Sequence, residues 1–302
     1  MRGSREQAAA WAGAAVCLVL TLFSCAPRGA VGREGLSPAP GAPPRLLWVQ
    51  GPEGRLRVED GGRGGIPVVF VHGLGGDRRV WAAQLEHLRK TRRAIALDLR
   101  GHGESDPSPD PRGAYAPQGF AEDVEAVANA LGLKRFVLVG HSLGGAVVGA
   151  YAGDHPGRVA GLLFDDPVGA LNQIPRASME SWLEGFSSES YDAYWPVWLG
   201  EMLAPAKPEV RDQVLKTFAS TTPEAVRAAI MSLSLYDPVP ALERYRGPML
   251  TVVTPENTKP FSLHNAVAGL PYRIVQGTSH WIMMDDPTAF NAILDEFLQK
   301  LR

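Results

Sequence analysis

Residues 136–145 read Phe136-Val137-Leu138-Val139-Gly140-His141-Ser142-Leu143-Gly144-Gly145, an apolar run followed by one serine set between glycines. Four consecutive apolar residues predict a strand buried on both faces. The small residues from Gly144 to Ala152 predict a helix starting directly after it. A strand that feeds a helix without a spacer leaves a tight turn at Ser142. Side chains two residues to either side would collide there, and Gly140 and Gly144 remove them. Gly145 lets the new helix pack closely. The turn projects the serine hydroxyl off the strand end and sets the Leu143 amide at a helix N-terminus, where a developing negative oxygen is stabilised.

Outward from this point, apolar runs and helical patterns alternate. Leu46–Val49 and Leu56–Val58 flank Gly51-Pro52-Glu53-Gly54, which predicts a hairpin. Val68–Val71 and Ala94–Leu97 read as strands, with helical spacing over Val80–Leu88 between them. Phe120, Val124, Val127 and Leu131 mark one face of a helix. Leu162-Leu163-Phe164 is a sixth strand. The rhythm then stops: residues 168–245 read as helical and carry Trp182, Phe186, Tyr191, Tyr194, Trp195 and Trp198, expected to form mostly that segment's own core. It resumes with Met249–Val253, Tyr272–Val275 and a last helix bearing Phe290, Ile293, Leu294, Phe297 and Leu301. Strands alternating with helices predict an α/β fold: a mostly parallel, doubly wound sheet, with a helical cap (about 168–245) inserted after the sixth strand. Such sheets bind ligands beyond the carboxyl ends of their strands, and Ser142 sits at one such end.

The 302 residues carry a formal charge of −2 with no long basic run, which argues against a nucleic-acid partner. Residues 1–24 have arginines at 2 and 5 and an apolar stretch, Ala8–Phe23, that is short for a membrane span; they read as an export signal. Leu22-Phe23-Ser24-Cys25 resembles a bacterial lipobox, and the resemblance implies cleavage before Cys25 and lipid on its sulfur. Residues 25–45, rich in Pro, Gly and Ala, read as a flexible tether. The expected product is a membrane-anchored lipoprotein of the cell envelope, or otherwise a periplasmic or secreted protein. The folded domain is expected over 46–302. The only other cysteine, Cys17, lies within the signal, so no disulfide is expected.

A serine hydroxyl is a weak nucleophile without a base. His280, in Gly277-Thr278-Ser279-His280-Trp281, follows the Tyr272–Val275 strand and reaches the same sheet edge. His72 and His102 are rivals; His102, in Gly101-His102-Gly103-Glu104-Ser105, reads as a loop-shaping residue, and His141 is expected to point away. The glycines of His72-Gly73-Leu74-Gly75-Gly76, directly after Val71, let backbone approach a substrate, with the Leu74 amide placed to donate.

Together the stretches 72–76, 98–105, 140–145 and 277–281 resemble the α/β-hydrolase superfamily, in the capped branch of esterases, haloperoxidase-like enzymes and carbon–carbon bond hydrolases. The resemblance runs over residues 46–302. It implies a Ser142–His280 pair, and Ser142 departs from the aspartate nucleophile of the family's epoxide hydrolases and most dehalogenases. It also exposes a departure. The family usually places its triad acid after the seventh strand, where Thr254-Pro255-Glu256-Asn257 puts Asn257 at that position. Two carboxylates remain: Asp166, after the sixth strand, where some members carry the acid, or Glu256. Asp165 is expected to face the other way.

These readings converge on a serine hydrolase acting on an ester-like bond of a small to medium hydrophobic substrate. Ser142, His280 and Asp166 (or Glu256) would be catalytic, with the amides of Leu74 and Leu143 as an oxyanion hole and no metal or cofactor required. The same parts serve a carbon–carbon bond hydrolase, a lactonase or a perhydrolase. With Asn257 at the acid position, a non-catalytic ligand-binding lipoprotein is the alternative from another class.

Overall fold

The computed structural model describes residues 42–111 and 113–301. The expected signal, Cys25 and nearly all of the tether lie outside the described residues.

The first strands, β1 (Arg45–Gln50) and β2 (Arg55–Gly61), form the expected antiparallel hairpin, with Gly51 N–H closing onto Gly54 O at 2.8 Å. Then follow β3 (Val68–Val71), α1 (Ala82–Leu88), β4 (Ala94–Leu97), α2 (Pro117–Ala130), β5 (Phe136–His141), α3 (Leu143–Asp154) and β6 (Val159–Asp165). A short 3-10 turn at Arg78–Trp81 takes the front of the helix expected over Val80–Leu88. After β6 come five helices: α4 (Arg176–Gly185), α5 (Tyr191–Met202), α6 (Pro208–Ala219), α7 (Pro223–Leu235) and α8 (Val239–Arg244). The chain returns to the sheet with β7 (Met249–Val253), α9 (Leu263–Ala266), β8 (Tyr272–Ile274), α10 (Ile282–Asp285) and α11 (Pro287–Gln299).

The eight strands lie in the order β1-β2-β4-β3-β5-β6-β7-β8, parallel from β4 to β8. β3, β4, β5 and β6 are buried along their whole length, as expected for strands covered by helices on both faces. One apolar core lies between the sheet and α2 and α3, around Phe120, Phe136 and Tyr151. The other holds Trp81, Phe290 and Phe297 against the opposite face. Because β3 and β5 to β8 run the same way, the residues just after each strand arrive along one edge of the sheet.

Candidate active site

The turn after β5 is as tight as its glycines require. A Cβ on Gly140 would lie 2.3 Å from Gly144 O, and one on Gly144 would lie 2.4 Å from Val71 O. A Cβ on Gly145 would meet Pro167 at 2.7 Å, so the start of α3 is packed against the turn after β6. Ser142 has φ 51° and ψ −117°, a strained left-handed backbone for a residue with a side chain. Its N–H is held by Asp165 O at 3.0 Å. Strain of this kind persists only where the surroundings over-determine it, and these contacts do so.

Asp166 is the only other described non-glycine residue at positive φ, 40°. It turns off β6 with its carboxylate nearly fully buried, 3% exposed, and one oxygen, Oδ2, 2.6 Å from His280 Nδ1. A carboxylate only accepts, so Nδ1 carries the proton in this contact. The other oxygen, Oδ1, accepts from Thr254 N–H at 2.9 Å, Thr254 Oγ1 at 3.3 Å and Asn257 Nδ2 at 3.1 Å. Glu256, the alternative acid, lines the cavity but makes no hydrogen bond to His280 among the described residues. The 3-10 turn at Pro255–Asn257 brings Asn257 inward instead. Asp165 faces the other side of the sheet. It is fully buried, and burial, with the Asp166 charge second, pushes its carboxyl well above the ordinary carboxylate range.

His141 differs from expectation. β5 runs on through it, and its ring packs 4.6 Å from that of His280 instead of leaving the site. Its Nε2–H donates to His280 O at 2.9 Å. Burial first, then the His280 charge, holds it well below the ordinary histidine range, so it is a neutral prop under His280. Ser279 supports the same loop: its N–H and hydroxyl both donate to Asp285 Oδ2, at 2.8 and 2.5 Å. Asp285 Oδ1 accepts from Lys207 N–H at 2.9 Å. The histidine loop is thereby fastened to the helical insertion.

The two rival candidates, His72 and His102, are structural. His72 Nδ1–H donates to Gly73 O at 2.7 Å while Nε2 accepts from Leu99 N–H at 3.0 Å. This clamps the glycine loop after β3 to the loop after β4. His102 donates from Nδ1 to Arg100 O at 3.0 Å, and burial lowers it to about 3. The Leu74 and Leu143 N–H groups have no backbone acceptor among the described residues, and both residues border the cavity that holds Ser142.

That cavity has a volume of about 1140 Å³. Ser142, His280 and Asp166 lie on its sheet side; Trp182, Trp198, Leu199, Met202, Phe218, Ile230 and Leu233 of the insertion form its other walls. Thus Trp182 and Trp198 are more than packing for Phe186, which they flank at 5.4 and 5.1 Å. Phe218, which no sequence pattern singled out, lies so close to Gly75 that a Cβ there would come within 2.2 Å of its ring. The charged residues on the lining are Asp166, Glu201, Glu256 and Lys259, besides the histidines.

The family model for the alpha/beta hydrolase fold matches residues 66–207. A 2-succinyl-6-hydroxy-2,4-cyclohexadiene-1-carboxylate synthase of Enterobacter sp. (strain 638) is 31% identical over 187 residues, 58% of this chain and 68% of that protein. The 1-acylglycerol-3-phosphate O-acyltransferase ABHD5 of Sus scrofa is 34% identical over 147 residues, 47% of this chain and 39% of that protein. The chain thus spans about two fifths of the length of the first such relatives. Among solved structures, a thermophilic esterase from Thermogutta terrifontis is similar with a TM-score of 0.68 at 26% identity, over 85% of this chain and 98% of that one.

Proposed function

Because the chain belongs to the α/β-hydrolase fold family, we propose that it is a serine hydrolase cleaving an ester-like bond of a small to medium hydrophobic substrate through an acyl-enzyme. The observation that carries this reading is the 2.6 Å contact of Asp166 with His280 Nδ1, in the cavity that Ser142 enters from its strained turn. In the proposed reaction His280 Nε2 takes the Ser142 proton as Oγ attacks the carbonyl carbon. The Leu74 and Leu143 amides donate to the resulting oxyanion, and Asp166 stabilises the imidazolium. The proton passes to the leaving alkoxide. A water molecule, deprotonated by the same histidine, then releases the acid.

The helical insertion acts as a cap whose apolar wall receives the hydrophobic part of the substrate. The similarity to an esterase over nearly all of that chain supports an ester. The relative named as a synthase of a succinyl carboxylate gives a second reading, carbon–carbon bond chemistry on a multiply charged acid. The cavity lining speaks for the first: three carboxylates and a single lysine, Lys259, make poor company for a polyanion. Labelling with a serine-directed phosphonate tests the mechanism. The reagent should add one adduct at Ser142, and Ser142→Ala should remove both adduct and turnover; full activity in that variant would end the reading. A panel of esters, lactones and vinylogous diketones then separates the reactions. For the N-terminal part, the proposal is a signal over 1–24, lipid on Cys25, a tether over 25–45 and the hydrolase domain over 46–302. Intact mass of the protein from a bacterial membrane fraction should show acyl groups on a chain starting at Cys25.

A further inference from the structure

Asn257 stands where the resemblance places an acid, yet its surroundings are built for an amide. Its Nδ2 faces two acceptors, Asp166 Oδ1 at 3.1 Å and Pro167 O at 3.0 Å. Its Oδ1 faces a donor, the Ser262 hydroxyl at 2.9 Å. That hydroxyl has only one proton, and its oxygen already accepts from Lys259 N–H at 2.9 Å. The amide orientation is therefore set by a chain running Lys259 N–H to Ser262 Oγ–H to Asn257 Oδ1. Both Asn257 protons are committed to the two acceptors around the Asp166–Pro167 peptide. A carboxylate in the same place would put unshared oxygens against both.

Asp166 needs this support. It sits at φ 40°, where a side-chain-bearing residue is strained, and its usefulness to His280 depends on which oxygen faces the ring. With the shorter donors gathered on Oδ1 and only the Thr254 hydroxyl, at 3.4 Å, beside Oδ2, the latter accepts from Nδ1 at 2.6 Å. Thr254 supplies one donor from backbone, which any residue would provide, and a longer one from its hydroxyl, 3.3 and 3.4 Å from the two oxygens. Asn257 supplies the shorter side-chain donor, and it ties the carboxylate to Pro167 O of the same turn.

We propose that Asn257 is a positioning residue which, as an obligatory neutral donor, holds the Asp166 carboxylate in register with His280. The inference rests on the serine-hydrolase reading and deepens it. It makes an unexpected statement about Asn257→Asp, the substitution that would restore the usual acid: it should harm the enzyme. Two carboxylates about 3 Å apart cannot both ionise freely and come to share a proton. Once both are charged, the added negative charge favours imidazolium and repels Asp166 from its place.

The test is the rate of phosphonate labelling at Ser142 against pH, which needs no knowledge of the natural substrate. The ionisable groups around the pair are His141 on β5, Asp165 on β6, Glu256 and Lys259 after β7, His264 on α9, Asp285 on α10 and Glu201 on α5. None of them changes in the variant. For Asn257→Asp the acid limb of the labelling profile should move to higher pH by about one unit or more, with slower labelling at neutral pH. A side chain that merely fastened its loop would lower the melting temperature and leave the limb where it is, and that result overturns the proposal. If Asn257→Asp does not fold, Ser262→Ala decides. Releasing the amide orientation should slow labelling several-fold with little change in melting temperature, and labelling equal to wild type overturns the proposal. Failure of the wild-type protein to label at Ser142 is a different result, because it removes the serine-hydrolase reading itself.

Discussion

Replacing Asp166 by its amide and by alanine should give opposite orders of activity and stability. In Asp166→Asn the new side chain has two orientations. The donors at Thr254 N and Asn257 Nδ2 occupy the Oδ1 side, so the amide oxygen settles there and the NH2 turns to His280. His280 Nδ1 must then accept, and the ring proton moves to Nε2, the nitrogen that takes the Ser142 proton in the proposed reaction. The base is lost through the tautomer, not through displacement, and turnover should fall about 10⁴-fold, as when the corresponding amide holds the wrong tautomer in a serine-protease triad. Folding stability should change little, since the Oδ1 contacts survive. Asp166→Ala removes the acceptor altogether. It leaves Thr254 N–H buried without it, at a cost of about 1–3 kcal/mol if nothing replaces it, and frees one proton of the half-buried Asn257 amide. But the imidazole is free to choose its tautomer. The alanine variant should thus be the less stable by urea unfolding and yet the more active of the two. The assay is initial-rate hydrolysis of a p-nitrophenyl ester beside denaturant titrations of both variants. An asparagine variant within tenfold of wild type, or one more active than the alanine variant, would refute the reasoning.

Two further outcomes follow from the same structure. His102 is buried and lowered to about 3, below an unfolded value near 6.5, so the unfolded chain binds the extra proton and stability falls as pH drops below about 6.5. Between pH 7 and 5 this should cost wild type about 2 kcal/mol that a His102→Gln variant does not lose; equal losses by urea unfolding at the two pH values would contradict the burial argument. Asp165, shifted upward, works in the opposite sense within wild type, contributing stability that is lost as pH rises, and is common to both proteins. Separately, Gly75→Ala sets a methyl group against the Phe218 ring at a backbone φ of 67°, so it should displace α6 from the Leu74 loop. Turnover should drop more than melting temperature, and an unchanged kcat/KM would show that the loop does not depend on that contact.

The elements most legible in the sequence are those whose signal is local. The strand of Phe136–Val139, the glycines around Ser142 and the hairpin at residues 51–54 each carry their physics within a few residues. His280 was legible from chain order and its place after a strand. What escaped is long-range. Asn257 reaches Asp166 across 91 positions, and no local pattern says that an amide should meet a carboxylate there. Phe218 belongs to an ordinary amphipathic helix, and only packing against Gly75 gives it a part in the site. The orientation of His141 was missed because β5 continues two residues past its apolar run, so the alternation that sends side chains to opposite faces carries on through the histidine.

The choice of acid has its own physical logic, visible in the register of β6 and β7. These neighbours pair in parallel, with Asp165 opposite Val252, and Asp166 N–H donates to Val252 O at 2.8 Å. The turns that leave the two strands therefore start side by side, about 4.8 Å apart, and both open toward His280 in the loop after β8. A carboxylate at the end of either strand can meet the histidine if the other turn supplies donors to its far oxygen. In this chain the carboxylate stands on β6 and the donors, Thr254 and Asn257, stand after β7. The asparagine that made the sequence look incomplete is thus a donor to the carboxylate that faces His280. In the proposed mechanism the pair of turns acts together: one carries the strained Asp166, and the other supplies donors to its far oxygen.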